Sequence, residues 1–370
     1  MTGVNQDRCP GVLRPHQAAD GAMVRVRVPG GQTTGSALAA LGRAARRHGR
    51  GLLQLTSRAG LQVRGLPVDL PDAFEAEVAA AGFLPSATHE RVRNVVASPL
   101  TGLHGGLADL RPLVQSLDAA LQADDALAGL SGRFLFGLDD GRGDVAALEP
   151  DLTYRALGPD SGLLVVGADR GRPVSLDDAV PALAALAHDF GAARAASGVW
   201  RVRELPGWVA GLTGFTAVGT APVPAEPPLG VVGPHAVVGV PLGFLTPDQL
   251  GAVVAVAGDG AVVVTPWRSL VVAGGAARIA ELTATGLVAD PTSPWTAVSA
   301  CVGAPWCASG RVDTQALVSS VVGAHRHWPR THVSGCERRC GAPSGPHADL
   351  VAPSRSELLA AAEPRLVAHV

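Results

Sequence analysis

The chain has 370 residues, 47% of them hydrophobic, and its 30 Lys and Arg against 32 Asp and Glu leave a formal charge of -2. That length suits two or three domains with buried cores and excludes a disordered or collagen-like chain. The balanced charge excludes a polyelectrolyte partner, so neither nucleic acid nor an anionic membrane surface is expected.

All 30 basic residues are arginine. Without lysine there is no amine for Schiff-base chemistry and no P-loop lysine. The remaining cations are permanently charged planar forks, suited to gripping carboxylates and unsuited to donating a proton. A small acidic ligand is the expectation.

In chain order, the opening around Asp7, Arg8 and Pro10 lacks the apolar core of a secretion signal, and a reducing cytoplasmic compartment is expected. Met23 to Val28 alternates, placing Val24, Val26 and Val28 on one face and Arg25 and Arg27 on the other. Ser36 to His48 has helical spacing, with Leu38, Leu41 and Ala45 on one stripe and Gly49 as its stop. Two further alternating strands follow, with Gln54 and Thr56 on one face, Gln62 and Arg64 on one face, and Leu61 and Val63 turned inwards.

The unit of strand, helix, strand, strand recurs after a proline-rich segment, Ala221 to Pro228, that reads as an extended linker. Thr56 and Thr265, Leu61 and Leu270, and Gly65 and Gly274 coincide at an offset of 209 residues. In this register Arg25 and Arg27 correspond to Val237 or Val238 and to Val240, while Gln62 and Arg64 correspond to Val271 and Ala273, so the charged face belongs to one copy. Leu250 to Ala257, the most apolar stretch, is too short to cross a bilayer.

If the first-copy strands join one sheet, Arg25, Arg27, Gln54, Gln62 and Arg64 line a polar surface with Arg58 at the adjoining turn. Arg91 and Arg93 lie in a later alternating segment and add further guanidiniums, each able to make paired hydrogen bonds to a carboxylate. A solvated charged strand face is the ordinary alternative for any one of these arginines.

Four of five cysteines form two pairs, Cys301 with Cys307 and Cys336 with Cys340, in loops rich in small residues. Such a set suits a [4Fe-4S] cluster. Zinc loops usually place paired ligands two to four residues apart, and the first pair is wider than that. Cys9 is left over and reads as a buried apolar residue. His325, His327 and His332 form a local group, and two of them with Asp139 or Asp140 are a conceivable set for a mononuclear iron.

The cysteine pairs, the Val24-to-Gly31 strand, Leu55-Thr56-Ser57-Arg58 followed by Gln62, and the duplicated half-domain together resemble the sulfite and nitrite reductase superfamily. Arg8-Cys9-Pro10-Gly11, Asp20-Gly21, Cys301 to Pro305 and His332 to Cys336 are most similar to its oxygen-dependent branch in aerobic cobalamin synthesis. The resemblance implies an α+β fold of ferredoxin-like half-domains at 1–85 and 233–285. It places α+β domains at 86–220 and 286–370, the latter trimmed, around a linker at 221–232.

It further implies that Cys301, Cys307, Cys336 and Cys340 hold [4Fe-4S], and that Arg25, Arg58 and Arg93 with Gln62 contact a tetrapyrrole. Arg64 joins them from the polar face. Where the reductases carry two lysines for their substrate anion, Gly132-Arg133-Phe134-Leu135-Phe136 supplies Arg133 alone, which weakens a sirohaem-dependent reductase reading. The oxygen-dependent branch implies precorrin-3A and dioxygen as substrates, a mononuclear non-haem iron, and electrons from a separate ferredoxin or reductase, since no dinucleotide fingerprint is evident. A sirohaem reductase and a non-enzymatic iron-sulfur or zinc scaffold are the competing readings.

Overall fold

A computed structural model describes residues 9–219, 228–343 and 345–362. The proline-rich segment lies outside them except for Pro228, as does Arg8.

The first region holds β1 (His16–Ala18), β2 (Gly21–Val26), β3 (Gln32–Thr34), α1 (Gly35–His48), β4 (Leu53–Leu55), β5 (Leu61–Leu66) and α2 (Asp72–Ala80). The second holds β6 (Val95–Ala97), α3 (Arg111–Ala123), β7 (Phe136–Asp139), β8 (Leu152–Ala156), β9 (Ser161–Val166), β10 (Arg170–Ser175), α4 (Ala179–Ser197), α5 (Pro206–Ala210) and β11 (Thr216–Ala217). The third holds β12 (Gly230–Val232), β13 (His235–Gly239), β14 (Phe244–Leu245), α6 (Pro247–Ala257), β15 (Ala261–Val264), β16 (Ser269–Val272) and α7 (Ile279–Thr283). The last holds α8 (Pro294–Ala297), β17 (Val298–Ala300), α9 (Thr314–Val321), β18 (Thr331–Ser334), β19 (Ala348–Val351) and α10 (Arg355–Ala362).

Helix α1 starts where Thr34 accepts a hydrogen bond from the Ala37 amide, and ends in Arg46, Arg47 and His48 before Gly49. Its buried stripe, Leu38, Leu41, Ala44 and Ala45, packs towards α6. Gly42 lets the two approach, since a Cβ there would sit 2.2 Å from Leu250 Cδ2. Helix α6 starts in the same way, with Thr246 and Gln249 forming a reciprocal cap and Pro247 in the first turn.

The two half-domains exchange strands. One sheet runs β1-β2-β5-β4-β14, taking its last strand from the second copy, and the other runs β12-β13-β16-β15-β3, taking its last from the first. Their apolar faces share one core, from Val24, Val63 and Leu38 to Val238, Leu270 and Val253.

The duplication is plain in the backbone. Gly30 and Leu242 occupy the same turn with φ of 60° and 53°, and Ala59 and Arg268 the same hairpin position with φ of 56° and 55°. Only glycine adopts such angles freely, so the non-glycine residues mark a geometry imposed by the fold. Before the helices the copies stand 212 residues apart, as Thr34 and Thr246 show, and after them 209, because α1 has 14 residues and α6 has 11. The counterpart of Arg27 is therefore Gly239, not Val240, and that of Arg25 is Val237.

The other two regions are each built on three parallel strands. Strands β6, β7 and β8 begin a six-stranded sheet completed antiparallel by β9, β10 and β11, covered by α3 and α4 around Phe134, Phe136 and Tyr154. Strands β17, β18 and β19 form a smaller sheet, packed with α9 and α10 around Val318, Val333 and Leu358. Among the described residues no helix is long and apolar enough to cross a membrane.

Candidate cluster and anion-binding site

The cysteine loops leave the carboxyl ends of adjacent parallel strands, where open sheets commonly hold ligands. Cys301 follows β17 and bonds through its amide to Val333 O at 3.0 Å, while Cys336 follows β18 after one glycine. The Gly335 amide donates to Cys301 Sγ at 3.1 Å. Thr314 Oγ1 donates to Cys301 O at 2.7 Å and Gln315 Nε2 to Val302 O at 3.1 Å, so the head of α9 fixes the first loop.

Three glycines make the loops close-packed. A Cβ on Gly303 would meet Thr314 Oγ1 at 2.5 Å, one on Gly310 would meet Ala304 N at 2.5 Å, and one on Gly335 would meet the Gly310 and Gly303 Cα atoms at 3.2 and 3.3 Å. Burial raises the Cys340 thiol pKa, and Cys301, Cys336 and Cys307 add to the rise, so the four sulfurs share one neighbourhood.

Among the described residues no three His, Cys, Asp or Glu side chains converge on the point that a single metal ion would need. A cubane makes no such demand, because each thiolate binds a different corner iron. Four thiols, an amide aimed at one sulfur and a glycine-lined cradle fit a [4Fe-4S] cluster. The mononuclear set conceived from His325, His327 and His332 with Asp139 or Asp140 is not assembled. His325 and His327 leave the last region near its surface, while both aspartates are buried at the end of β7. His332 is fully buried, its Nδ1 shares a hydrogen with Ser299 Oγ at 2.8 Å, and burial lowers its pKa to about 4, leaving a neutral ring.

The polar face of the first sheet is covered, not solvated. Arg25 pairs across to Gln62, Gln62 to Gln54 and Gln54 to Phe244, giving one row over four strands. Arg27, Gln62 and Arg64 are buried and Arg25 and Arg58 half-buried. Among the described residues no carboxylate pairs with Arg25, Arg27 or Arg58, and Arg25 Nε, Arg27 Nη2 and Gln54 Oε1 are buried without partners. Burial first, then neighbouring Arg25, lowers Arg27 to about 9; burial first, then Arg201, lowers Arg58 to about 10; burial also lowers Arg25. Three neighbouring guanidiniums, two of them with an orphaned buried nitrogen, have the chemistry to hold an anion.

Cys9 departs from its expected role as an apolar filler. It is half-buried, donates to Gly132 O at 3.5 Å and hydrogen-bonds the Arg27 guanidinium. Its segment is tied down by Glu90, whose carboxylate accepts from the Val12 amide at 2.6 Å. Gly132 O also receives Arg58 Nη1 at 3.3 Å and Asn94 Nδ2 at 2.9 Å, which ties the anion site to the second region.

The remaining expected contacts are engaged elsewhere. Arg93 makes a paired bond to Asp118 at 2.6 and 2.7 Å, a buried structural bridge to α3. Arg64 is held by Asp20. Arg133 is exposed, its Cζ 4.0 Å above the Trp200 ring. Sequence reasoning gives no role to Asp20, Arg50, Trp200 or Trp306, whose partners lie far away in the chain.

Residues 14–81 match the nitrite/sulfite reductase ferredoxin-like half domain. The chain is similar to a precorrin-3B synthase of Sinorhizobium sp., 26% identical over 391 aligned residues that cover 96% of this chain and 82% of that relative. It is also 32% identical over 127 residues to the ferredoxin–nitrite reductase of Synechococcus elongatus, a match covering 32% of this chain and 25% of the reductase. The solved structure of the Mycobacterium tuberculosis NirA protein superposes with a TM-score of 0.67 at 19% identity, covering 86% of this chain and 69% of that one. Residues 14–81 thus carry that half domain, and the chain as a whole shares the duplicated α+β fold of the NirA structure.

Proposed function

We propose that the chain is an oxidoreductase acting on a tetrapyrrole: a precorrin-3B synthase, which mono-oxygenates precorrin-3A at C20 with closure of the ring A acetate to a lactone. The reading is supported by similarity along nearly the whole chain to a precorrin-3B synthase. The observation that carries it is the cluster of Arg25, Arg27 and Arg58, none of which forms an ion pair with a carboxylate among the described residues, and which so matches a ligand that brings several.

In this reading Arg25 and Arg58 grip peripheral carboxylates of the macrocycle, Arg27 adds charge behind them, and Gln62 and Gln54 offer neutral hydrogen bonds along the same row. Arg133 stands at the exposed edge of the loop that Arg58 holds. Arg93 acts through Asp118 and Arg64 through Asp20, so both support the site from behind. Cys301, Cys307, Cys336 and Cys340 hold the [4Fe-4S] cluster, which supplies electrons delivered by a separate ferredoxin or reductase. The chain's own contribution is to fix one meso carbon of a flat substrate against the oxidant and to exclude other orientations. No step is assigned to a mononuclear iron, for which the described residues present no ligand set. The setting is cytoplasmic.

Anaerobic purification with iron, sulfide and visible-spectrum analysis tests the reading. Cluster iron without a sirohaem band, followed by oxygen-dependent consumption of precorrin-3A, is the expected result. Stoichiometric sirohaem would instead make the chain a sulfite or nitrite reductase and the tetrapyrrole a cofactor. Cys336→Ala is expected to lose cluster and activity together; an iron-replete, active variant would overturn the ligand assignment.

A further inference from the structure

The strand that carries Gln62 also grips the loop between the first two cysteines. Arg64 Nη2 donates to Trp306 O at 3.2 Å, and Arg64 is itself held by Asp20, through Nε at 3.3 Å and Nη2 at 3.0 Å. The Arg50 guanidinium lies over the indole, its Cζ 3.2 Å from the ring centroid. Asp20, with 1% of its side chain exposed, also reaches Arg50 at 3.8 Å, and Asp313 at the head of α9 adds a second negative charge nearby.

A missing side chain makes room for this arrangement. A Cβ on Gly65 would sit 2.3 Å from Arg50 Cγ, so Arg50 crosses the sheet where there is nothing to obstruct it. The counterpart, Gly274, has nothing within 4 Å of such a Cβ. Both glycines share a positive φ, of 68° and 71°, but only the first also seats a side chain. Two guanidiniums face two carboxylates, so the assembly supplies geometry and exclusion of solvent more than net field.

We propose that Asp20, Arg50, Arg64 and Trp306 form a clamp that positions Cys307 and shields the cluster, with Arg64 a positioning residue and not a contact to the macrocycle. The inference rests on the cluster reading above. Because Gln62 and Arg64 project from one face of β5, the clamp also fixes the cluster loop relative to the anion site.

The test compares anaerobically purified wild type with Arg50→Ala, Arg50→Lys and Trp306→Phe. All four are expected to start with equal iron and sulfide. On exposure to air, Arg50→Ala should lose cluster absorption about tenfold faster, and its reduced cluster should give an altered electron paramagnetic resonance signal. Trp306→Phe keeps an aromatic face and the backbone carbonyl and should stay close to wild type. Arg50→Lys should not rescue, because an ammonium has no planar face to stack. In protein stripped of iron, alkylation of Cys307 should be several-fold faster in Arg50→Ala while Cys340 is unchanged. Equal cluster lifetimes, spectra and Cys307 labelling would overturn the clamp. A wild type that never binds iron would overturn the cluster reading, and Cys307 labelling would then decide the clamp alone.

Discussion

The two copies of the half-domain present the same four-strand row to different neighbours. In the first it reads Arg25, Gln62, Gln54, Phe244; in the second, Val237, Val271, Val263, Gln32. The second face is filled by the protein itself, with Leu100 and Leu103 packed on Val237, Val263 and Val271. His235 pins that plug, donating from Nε2 to Leu103 O at 3.1 Å and accepting the Gly274 amide at Nδ1. The same contrast holds at the ends of the parallel strands. Gly335 N donates to Cys301 Sγ at 3.1 Å, and at the matching place Asp140 N donates to Ser98 Oγ at 3.1 Å. Each repeat is filled at one place and not at the other: the first keeps the guanidinium row but closes its strand ends with Ser98, and the second plugs its sheet face but keeps the thiols.

The sharpest way to break this comparison is to restore charge to the filled face. Val237→Arg buries a guanidinium among the leucines and valines packed on that face. It is expected to cost about 4 kcal/mol or more, read as loss of folded protein or a lowered denaturant midpoint. A stable variant that gains tetrapyrrole binding would show that the second face is an open site after all.

Asp144 tests the other filled position. Burial raises its pKa to about 6, and Asp139 and Asp140 add to the rise against the opposing Ser98 hydrogen bond and Arg142. An acid with a raised folded-state value binds more protons folded than unfolded. Its contribution is therefore present below its unfolded value and lost as pH rises through about 6. Asp144→Asn should thus be more stable than wild type at pH 7, by up to about 3 kcal/mol, with the gap closing towards pH 4. Unfolding curves whose separation does not change with pH would refute this.

The smallest effect belongs to the polar face. Arg25→Leu removes a half-buried cation that has no carboxylate partner among the described residues, so the ligand-free fold should gain about 1 kcal/mol. Titration with a polycarboxylate tetrapyrrole should show about tenfold weaker binding in the same variant. Unchanged affinity would take Arg25 out of the site.

Much of this was legible locally. The 209-residue register, the α1 stripe with its Gly49 stop, and the cysteine spacing follow from short-range periodicity and chemistry. The strand exchange was not, because β3 and β14 have three and two residues and their partners are chosen by tertiary packing. Nor were the true partners of the arginines. Arg93 meets Asp118 from a helix 25 residues on, and Arg64 meets Trp306 across 242 residues. Alternation tells which face a side chain takes, but not whether that face meets solvent, a carboxylate or another domain.

The exchanged strands bear on why a copy whose face is plugged persists at all. The Arg25 sheet takes its last strand, Phe244–Leu245, from the second copy, and the Val237 sheet takes Gln32–Thr34 from the first. Deleting the plugged copy would leave the Arg25 sheet with an unpaired edge beside Gln54 and strip half of the shared core. The plugged half-domain is therefore tethered to the arginine-bearing one by main-chain hydrogen bonds. Substitutions can erase its chemistry residue by residue, yet the pair can be inherited only together.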